Sequence, residues 1–249
     1  MTSLIATPTA RLVRTEAKLF LREPLAVFWG VAFPVVLLVV MGLASDKPDR
    51  DLDGLRLVDA YVPILLAFTI AVVGINALPT ALAGYRERGV LRRMATTPVA
   101  PVRVLGAQLA VYVAVIVAAG VLVLAVARIA FDVGLPGQAG GFLAAFVLSA
   151  AAMLGLGLLL AAVAPTMRTA NALGAIAFFP MMFFAGLWVP RETMSATLRH
   201  VSDATPLGAG VAALQEAMQG QAPHLLHLAV LAAWAVAAGA AATRLFRWE

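Results

Sequence analysis

The strongest constraint on this chain is where its charges are missing. No Asp, Glu, Lys or Arg occurs in residues 24–45, 60–85, 104–127, 133–167, 169–190 or 217–243. A hydrocarbon core ~30 Å thick takes about 20 apolar residues per helix, so each window holds one span. The longest window, 35 residues, holds a span and a loop. Inside lipid the backbone has no water to pair with, which excludes open sheets, and runs this apolar lack the alternation of barrel strands. The expected fold is all-α and integral to a membrane, with six transmembrane helices at about 24–44, 61–83, 102–127, 141–163, 170–189 and 224–243. A charged fraction of 12% agrees, since soluble domains carry about 25%.

The net charge of +5 raises nucleic acid as a partner, but the basic residues flank the apolar windows and form no continuous patch. Membrane topology explains them better, and no nucleic-acid partner is expected. With no cysteine, disulfides and thiolate metal sites are excluded. Residues 1–23 lack an apolar core ahead of Pro24, which argues against a cleavable signal peptide.

Residues 9–22 read as an amphipathic helix in the headgroup plane, with Arg11, Arg14, Lys18 and Arg22 on one face and Leu12, Val13, Leu19 and Phe20 opposite. Glu16 falls inside that apolar face, where it is either solvated at the interface or paired with an arginine from 86–93. Pro34 is placed to kink the first span, and Asn76 and Pro79 must be accommodated inside a bundle by the second. Residues 45–59 carry five aspartates and read as a polar loop. Ala151, Gly155 and Gly157 offer small surfaces for close helix contact in the fourth span, and 165–168 is a short connection. Between 190 and 220, two short amphipathic segments at about 193–201 and 207–218, split at Pro206, are too polar to span. They are expected to dip into or lie on the outer interface. With the N-terminus inside, twelve Lys and Arg fall on inner segments and six on outer ones, which puts both termini in the cytoplasm and Trp248 at headgroup depth.

Residues 85–103 form a polar hub holding five of the eighteen basic residues. Its first part reads as a helix of two to three turns. Glu87, Arg88, Arg92 and Arg93 are then exposed, while Leu91 and Met94 pack. Pro98 and Pro101 separate it from the next span. Such a helix suits the docking of a partner; the plainer reading is that its arginines only hold a loop on the cytoplasmic side.

Neither lysine, Lys18 or Lys47, stands in a G-x-x-x-x-G-K-[ST] pattern, so this chain has no Walker A loop for nucleotide phosphates. Ion-coupled transport usually leaves ionisable groups within the spans, and apart from Arg103 at the very start of the third, all six lack Asp, Glu, Lys and Arg. The protein is therefore driven from outside or passive. His224 and His227 have metal-ligand spacing but only Glu216 nearby, and an interfacial pair is the simpler reading; no metal is expected. Ser195, His200 and Asp203 contain the residue types of a hydrolytic triad without a nucleophile elbow. In the run from Phe178 to Phe184, Met and Phe suit a pathway for apolar molecules, or else face lipid and pack the bundle.

The chain resembles the permease subunits of type 2 ABC exporters, especially the daunorubicin-resistance-like group, over nearly its whole length. The resemblance rests on the amphipathic start, on Arg22-Glu23-Pro24 leading to Phe33-Pro34, and on Glu87-Arg88-Gly89-Val90-Leu91-Arg92-Arg93 followed by Thr97-Pro98. A late block, Phe183-Phe184-Ala185-Gly186-Leu187-Trp188-Val189-Pro190-Arg191-Glu192-Thr193-Met194, completes it. Val90 and Ala185 stand where the family often has Thr and Ser. The resemblance implies that 85–97 is a coupling helix touching a separate ATPase, with Tyr85, Arg86, Glu87, Arg88, Gly89, Leu91, Arg92, Arg93, Thr97 and Pro98 as its contact set. The interfacial helix, with Arg14, Glu16, Lys18 and Arg22, is implied to help. It further implies a dimer of permease subunits, with two ATPases that carry ATP and Mg. By the same resemblance the first and fifth spans are expected to form the dimer interface, and a hydrophobic drug or lipid is expected to be exported across the plasma membrane. Asn76, Phe179, Met182, Phe183 and Trp188 are candidates for the substrate pathway. The alternative from another class is a membrane-embedded enzyme or scaffold acting on a lipid-anchored partner.

Overall fold

The computed structural model describes residues 8–44, 47–48, 52, 54–90, 101–189 and 191–245. Of the residues singled out above, Leu91, Arg92, Arg93, Met94, Thr97, Pro98, Pro190 and Trp248 lie outside the described residues, as do the side chains of Arg11, Leu12, Pro101 and Glu192. Nine helices carry the described chain. The interfacial helix is α1 (Pro8–Leu21), followed by α2 (Pro24–Ala44), α3 (Leu57–Glu87), α4 (Pro101–Phe131) and α5 (Ala139–Val163). Then come α6 (Met167–Phe184), α7 (Ala196–Ala204), α8 (Pro206–Met218) and α9 (Leu225–Leu245). Six of them, α2 to α6 and α9, are long and apolar enough to cross a membrane.

The helix limits differ from the expected spans because charge set the expected limits while cap chemistry sets the real ones. Asp59, Arg86, Glu87 and Arg128 all lie within helices that continue past the apolar windows. Helix α6 begins at Thr166, whose hydroxyl accepts the Thr169 N–H at 3.2 Å, and α3 ends where Gly89 turns left-handed at φ +67°. Tyr85, Arg86 and Glu87, the start of the expected coupling helix, form the last turn of α3 ahead of the turn at Arg88-Gly89, and residues 91–97 of that expected helix lie outside the described residues.

Two helices widen into π turns, α2 at Phe28–Ala32 and α3 at Val72–Ala77. Each turn contains the residue four positions before a proline, Gly30 before Pro34 and Ile75 before Pro79. A proline ring clashes with that carbonyl and offers it no N–H, and a wide turn relieves both problems.

Helix α3 is the axis of the bundle, with 89% of its most apolar stretch buried against 17% for each of α2, α6 and α9. Its Ile70, Ile75 and Leu78 share one core with Ile116 of α4, Met153 of α5, Met182 of α6 and Leu207 of α8. Lipid is as apolar as these side chains, so close packing has to supply much of the association. Gly157 shows this: a Cβ there would land on the Gly74 carbonyl oxygen, so glycine lets α5 cross α3 with backbones touching. The neighbouring Gly155 packs instead toward Ala235 and Ala238 of α9.

Helix α8 departs from the surface placement open to 207–218. Leu207, Val211 and Leu214 are fully buried, and the helix packs on α3, α5 and α9. Its Gly208-Ala209-Gly210 start is slim enough to sink between them, and the Thr205 hydroxyl satisfies the Gly208 N–H at 3.1 Å. Helix α7 is exposed from Ala196 to Val201 and buries Ser202.

Candidate functional site

Two polar junctions tie the helices together, one at each end of the bundle. At the α1 end, Val13, Ala17 and Phe20 face the core, and Phe20 meets the ring of Tyr112 edge-on at 5.9 Å. Arg14, Lys18 and Arg22 are exposed, as the amphipathic pattern predicts, whereas Leu19 is also exposed rather than packed. Glu16 sits among the packed residues. Its carboxylate accepts the Tyr85 hydroxyl at 2.9 Å to each oxygen and the Gln108 Nε2 at 3.3 Å. Glu16 is half-buried rather than fully solvated, and among the described residues its partners are neutral donors from α3 and α4. Burial raises its pKa above the ordinary 4.5, and the two hydrogen bonds offset only part of that rise.

The next two residues of α3 reach elsewhere. Arg86 Nη1 donates to the carbonyls of Ala161 at 2.8 Å and Ala164 at 2.7 Å, at the C-terminal end of α5. Glu87 Oε2 accepts the Met167 N–H at 3.1 Å, at the N-terminal end of α6. Helix C-termini carry partial negative charge and N-termini partial positive charge, so this adjacent pair of opposite sign grips both sides of the α5–α6 connection. Arg88 Nη2 touches the Met167 sulfur at 4.0 Å. The first half of the hub thus binds its own chain, through contacts that lie about 80 residues away in sequence.

Between α1 and these residues lies a cavity of about 100 Å³, bordered by Glu16, Glu23, Tyr85, Arg88, Gln108 and Leu19. Gln108 is 1% exposed, and its Oε1 has no hydrogen-bond partner.

At the opposite end Arg191, 6% exposed, pairs with Asp203 at 2.5 Å, contacts the Ser202 hydroxyl, and donates to the Gly208 carbonyl at 3.2 Å. The Ser202 hydroxyl donates to the Phe184 carbonyl at 2.6 Å. His227 lies between carboxylates, with Nε2 3.6 Å from Asp203 and Nδ1 3.3 Å from Glu216. Glu216 also accepts the His224 N–H at 2.7 Å. This chain of contacts joins the end of α6, α7, α8 and the start of α9.

The other sequence candidates are placed as follows. Ser195 and Asp203 are committed elsewhere: the Ser195 hydroxyl accepts the Leu198 N–H at 3.4 Å, and Asp203 pairs with Arg191. The rings of His224 and His227 lie 5.9 Å apart and tilted by 59°, and no group of three or more metal-ligating side chains occurs among the described residues. Asn76 sits in the π turn of α3, against Gly174 of α6. Met182 is fully buried in the core, Phe183 is half-buried beside Phe184, and Phe179 stacks with Trp188 at 6.1 Å on the exposed surface. The five pathway candidates therefore do not share one lining within a single chain.

Gln108 and Arg191 are the residues that sequence reasoning missed. Gln108 had a signal, an amide within an otherwise charge-free span and four residues before Tyr112, but that window was searched for full charges alone.

Six spanning helices, with α3 at the centre of the bundle and polar junctions at both ends, define a multi-pass membrane protein. Residues 8–218 match the family described as ABC-2 type transporter, and the chain belongs to that family. It is the transmembrane component of an ABC transporter, a permease rather than a catalytic domain, and permeases of this family normally work with an ATPase subunit. No curated protein matches the chain.

Proposed function

We propose that this chain is the permease half of an ATP-driven exporter of the daunorubicin-resistance-like group. It moves a hydrophobic drug or lipid-like compound out across the plasma membrane, with both termini in the cytoplasm. Two separate ATPase subunits carry ATP and Mg, and the segment 85–97 receives them. The carrying observation is the grip of Arg86 and Glu87 on the α5–α6 connection. A displacement delivered just beyond Gly89 passes into α3, and through that grip into α5 and α6 at once; Glu16 and Tyr85 add α1 to the moving set. A second copy completes the complex, a reading supported by the row of exposed apolar residues on α2 and α6, including Trp29, Val36, Val40, Ile176 and Phe179.

The test is purification of the chain from its own cells in a mild detergent, followed by reconstitution. The expected result is a stoichiometric soluble ATPase and ATP-dependent movement of a hydrophobic dye. A monomer that transports without any ATPase would overturn the reading.

A further inference from the structure

The cavity at the α1 end has an unusual balance of donors and acceptors. Glu16 is half-buried, and among the described residues it makes no ion pair. Its three hydrogen-bond contacts come from the Tyr85 hydroxyl and the Gln108 amide, and a carboxylate has room for about four. Gln108 spends its NH₂ on Glu16 and leaves Oε1 buried and unpaired. Buried acceptors of this kind are normally satisfied, so the missing partner is a donor. Glu23, also on the lining, adds a second carboxylate. The site therefore calls for a small cation with several N–H donors. A metal ion fits poorly, since the described residues offer no cluster of three ligating side chains.

The surroundings indicate how that cation arrives. Leu19 lines the cavity and is 43% exposed, and Leu21 and Leu25 next to it are still more exposed. The opening therefore faces an apolar surface at the level of the interfacial helix, where acyl chains begin. Arg88 on the lining supplies the charge that a phosphate beside the cation would meet.

We infer that this cavity binds the headgroup of a phospholipid bearing a primary ammonium group, taken from the leaflet at the α1 end. The ammonium sits between Glu16 and the Gln108 Oε1, with the phosphate toward Arg88. A quaternary choline headgroup carries the same charge but no N–H, so it leaves Gln108 unsatisfied. This site shares Glu16, Tyr85 and Arg88 with the proposed coupling set, but its choice of headgroup does not rest on that role.

The experiment uses the full chain in vesicles of phosphatidylglycerol with equal parts of phosphatidylethanolamine and phosphatidylcholine of matched acyl chains. A photo-cross-linking residue at Leu19 captures the neighbouring lipid, which mass spectrometry identifies. Phosphatidylethanolamine should be captured about tenfold over phosphatidylcholine, the ratio one charge-assisted hydrogen bond gives. Capture should fall stepwise as the headgroup nitrogen is methylated. Glu16→Gln and Gln108→Leu should each bring the ratio close to one. Equal capture in the unmodified chain, or a preference that survives both substitutions, would overturn the inference. Displacement of the lipid by millimolar free phosphoethanolamine would overturn the lipid as occupant in favour of a soluble amine. The methylation series needs no substitution at Glu16 or Gln108, so it decides the matter even where one of those variants fails to fold.

Discussion

The two ends of the bundle solve the same problem in opposite ways. At the far end Asp203 faces Arg191 and His227, and Glu216 faces His227 and a backbone N–H. At the α1 end, among the described residues, Glu16 accepts from neutral donors and the Gln108 Oε1 has no partner. A buried charge is stable when its partner and its remaining hydrogen bonds are both present, so the far end is a closed brace. The α1 end holds its helices by weaker, partly unsatisfied contacts, which leaves it free to shift and to accept a ligand.

The largest effect should come from opening the brace. Arg191→Met leaves Asp203 without its guanidinium and the Gly208 carbonyl without its donor. Breaking such a buried pair should cost about 3–5 kcal/mol in reversible unfolding in mixed micelles. A loss below about 1 kcal/mol, the range of exposed pairs, would erase the distinction between the two ends.

A smaller loss is expected where the α1 end grips the α5–α6 connection. Arg86→Met removes two charged contacts to carbonyls, worth about 1.5–3 kcal/mol, and should speed hydrogen exchange at Ala164 to Thr169. Glu87→Gln acts on an exposed contact with a helix N-terminus, so a loss of about 0.3–1 kcal/mol is expected in the same assay. The reverse order would mean that the glutamate, not the arginine, holds the connection.

The smallest effect concerns Glu16 and depends on pH. Its folded-state pKa is raised above the ordinary 4.5, so the folded protein binds the proton more tightly than the unfolded chain. The stabilisation from that proton is fully present below the unfolded pKa and is lost as the pH rises through the folded one. Docking of α1, followed by hydrogen exchange at Val13 to Phe20, should therefore loosen between acid and neutral pH. Glu16→Gln should make it independent of pH. An α1 that loosens on acidification would show that the glutamate is paired with a cation.

The spans were legible because a charge-free run of bilayer length has few other uses, and Pro34 and Pro79 marked where two helices would deform. The contacts of the α1 end were not. Sequence reasoning left Glu16 either solvated or paired with an arginine, because water and opposite charge are the obvious partners, whereas the structure uses Tyr85 and Gln108, the latter 92 residues away. Arg86 looked like one more surface charge in a basic run, since nothing local reveals that the end of α5 folds back beside it. Helix α8 could be read as a surface element from Gln215 and Glu216, although its glycine and alanine start was the sign of close burial.

The central claim is that the α1 end transmits force from an ATPase into α5 and α6 through Arg86. The direct measurement is ATP-driven efflux by Arg86→Met permease reconstituted with its ATPase, with ATPase binding and basal hydrolysis followed in the same vesicles. Binding and hydrolysis should remain near wild type while efflux per ATP falls at least tenfold. Normal efflux per ATP from a variant whose α5–α6 connection exchanges rapidly would contradict the account.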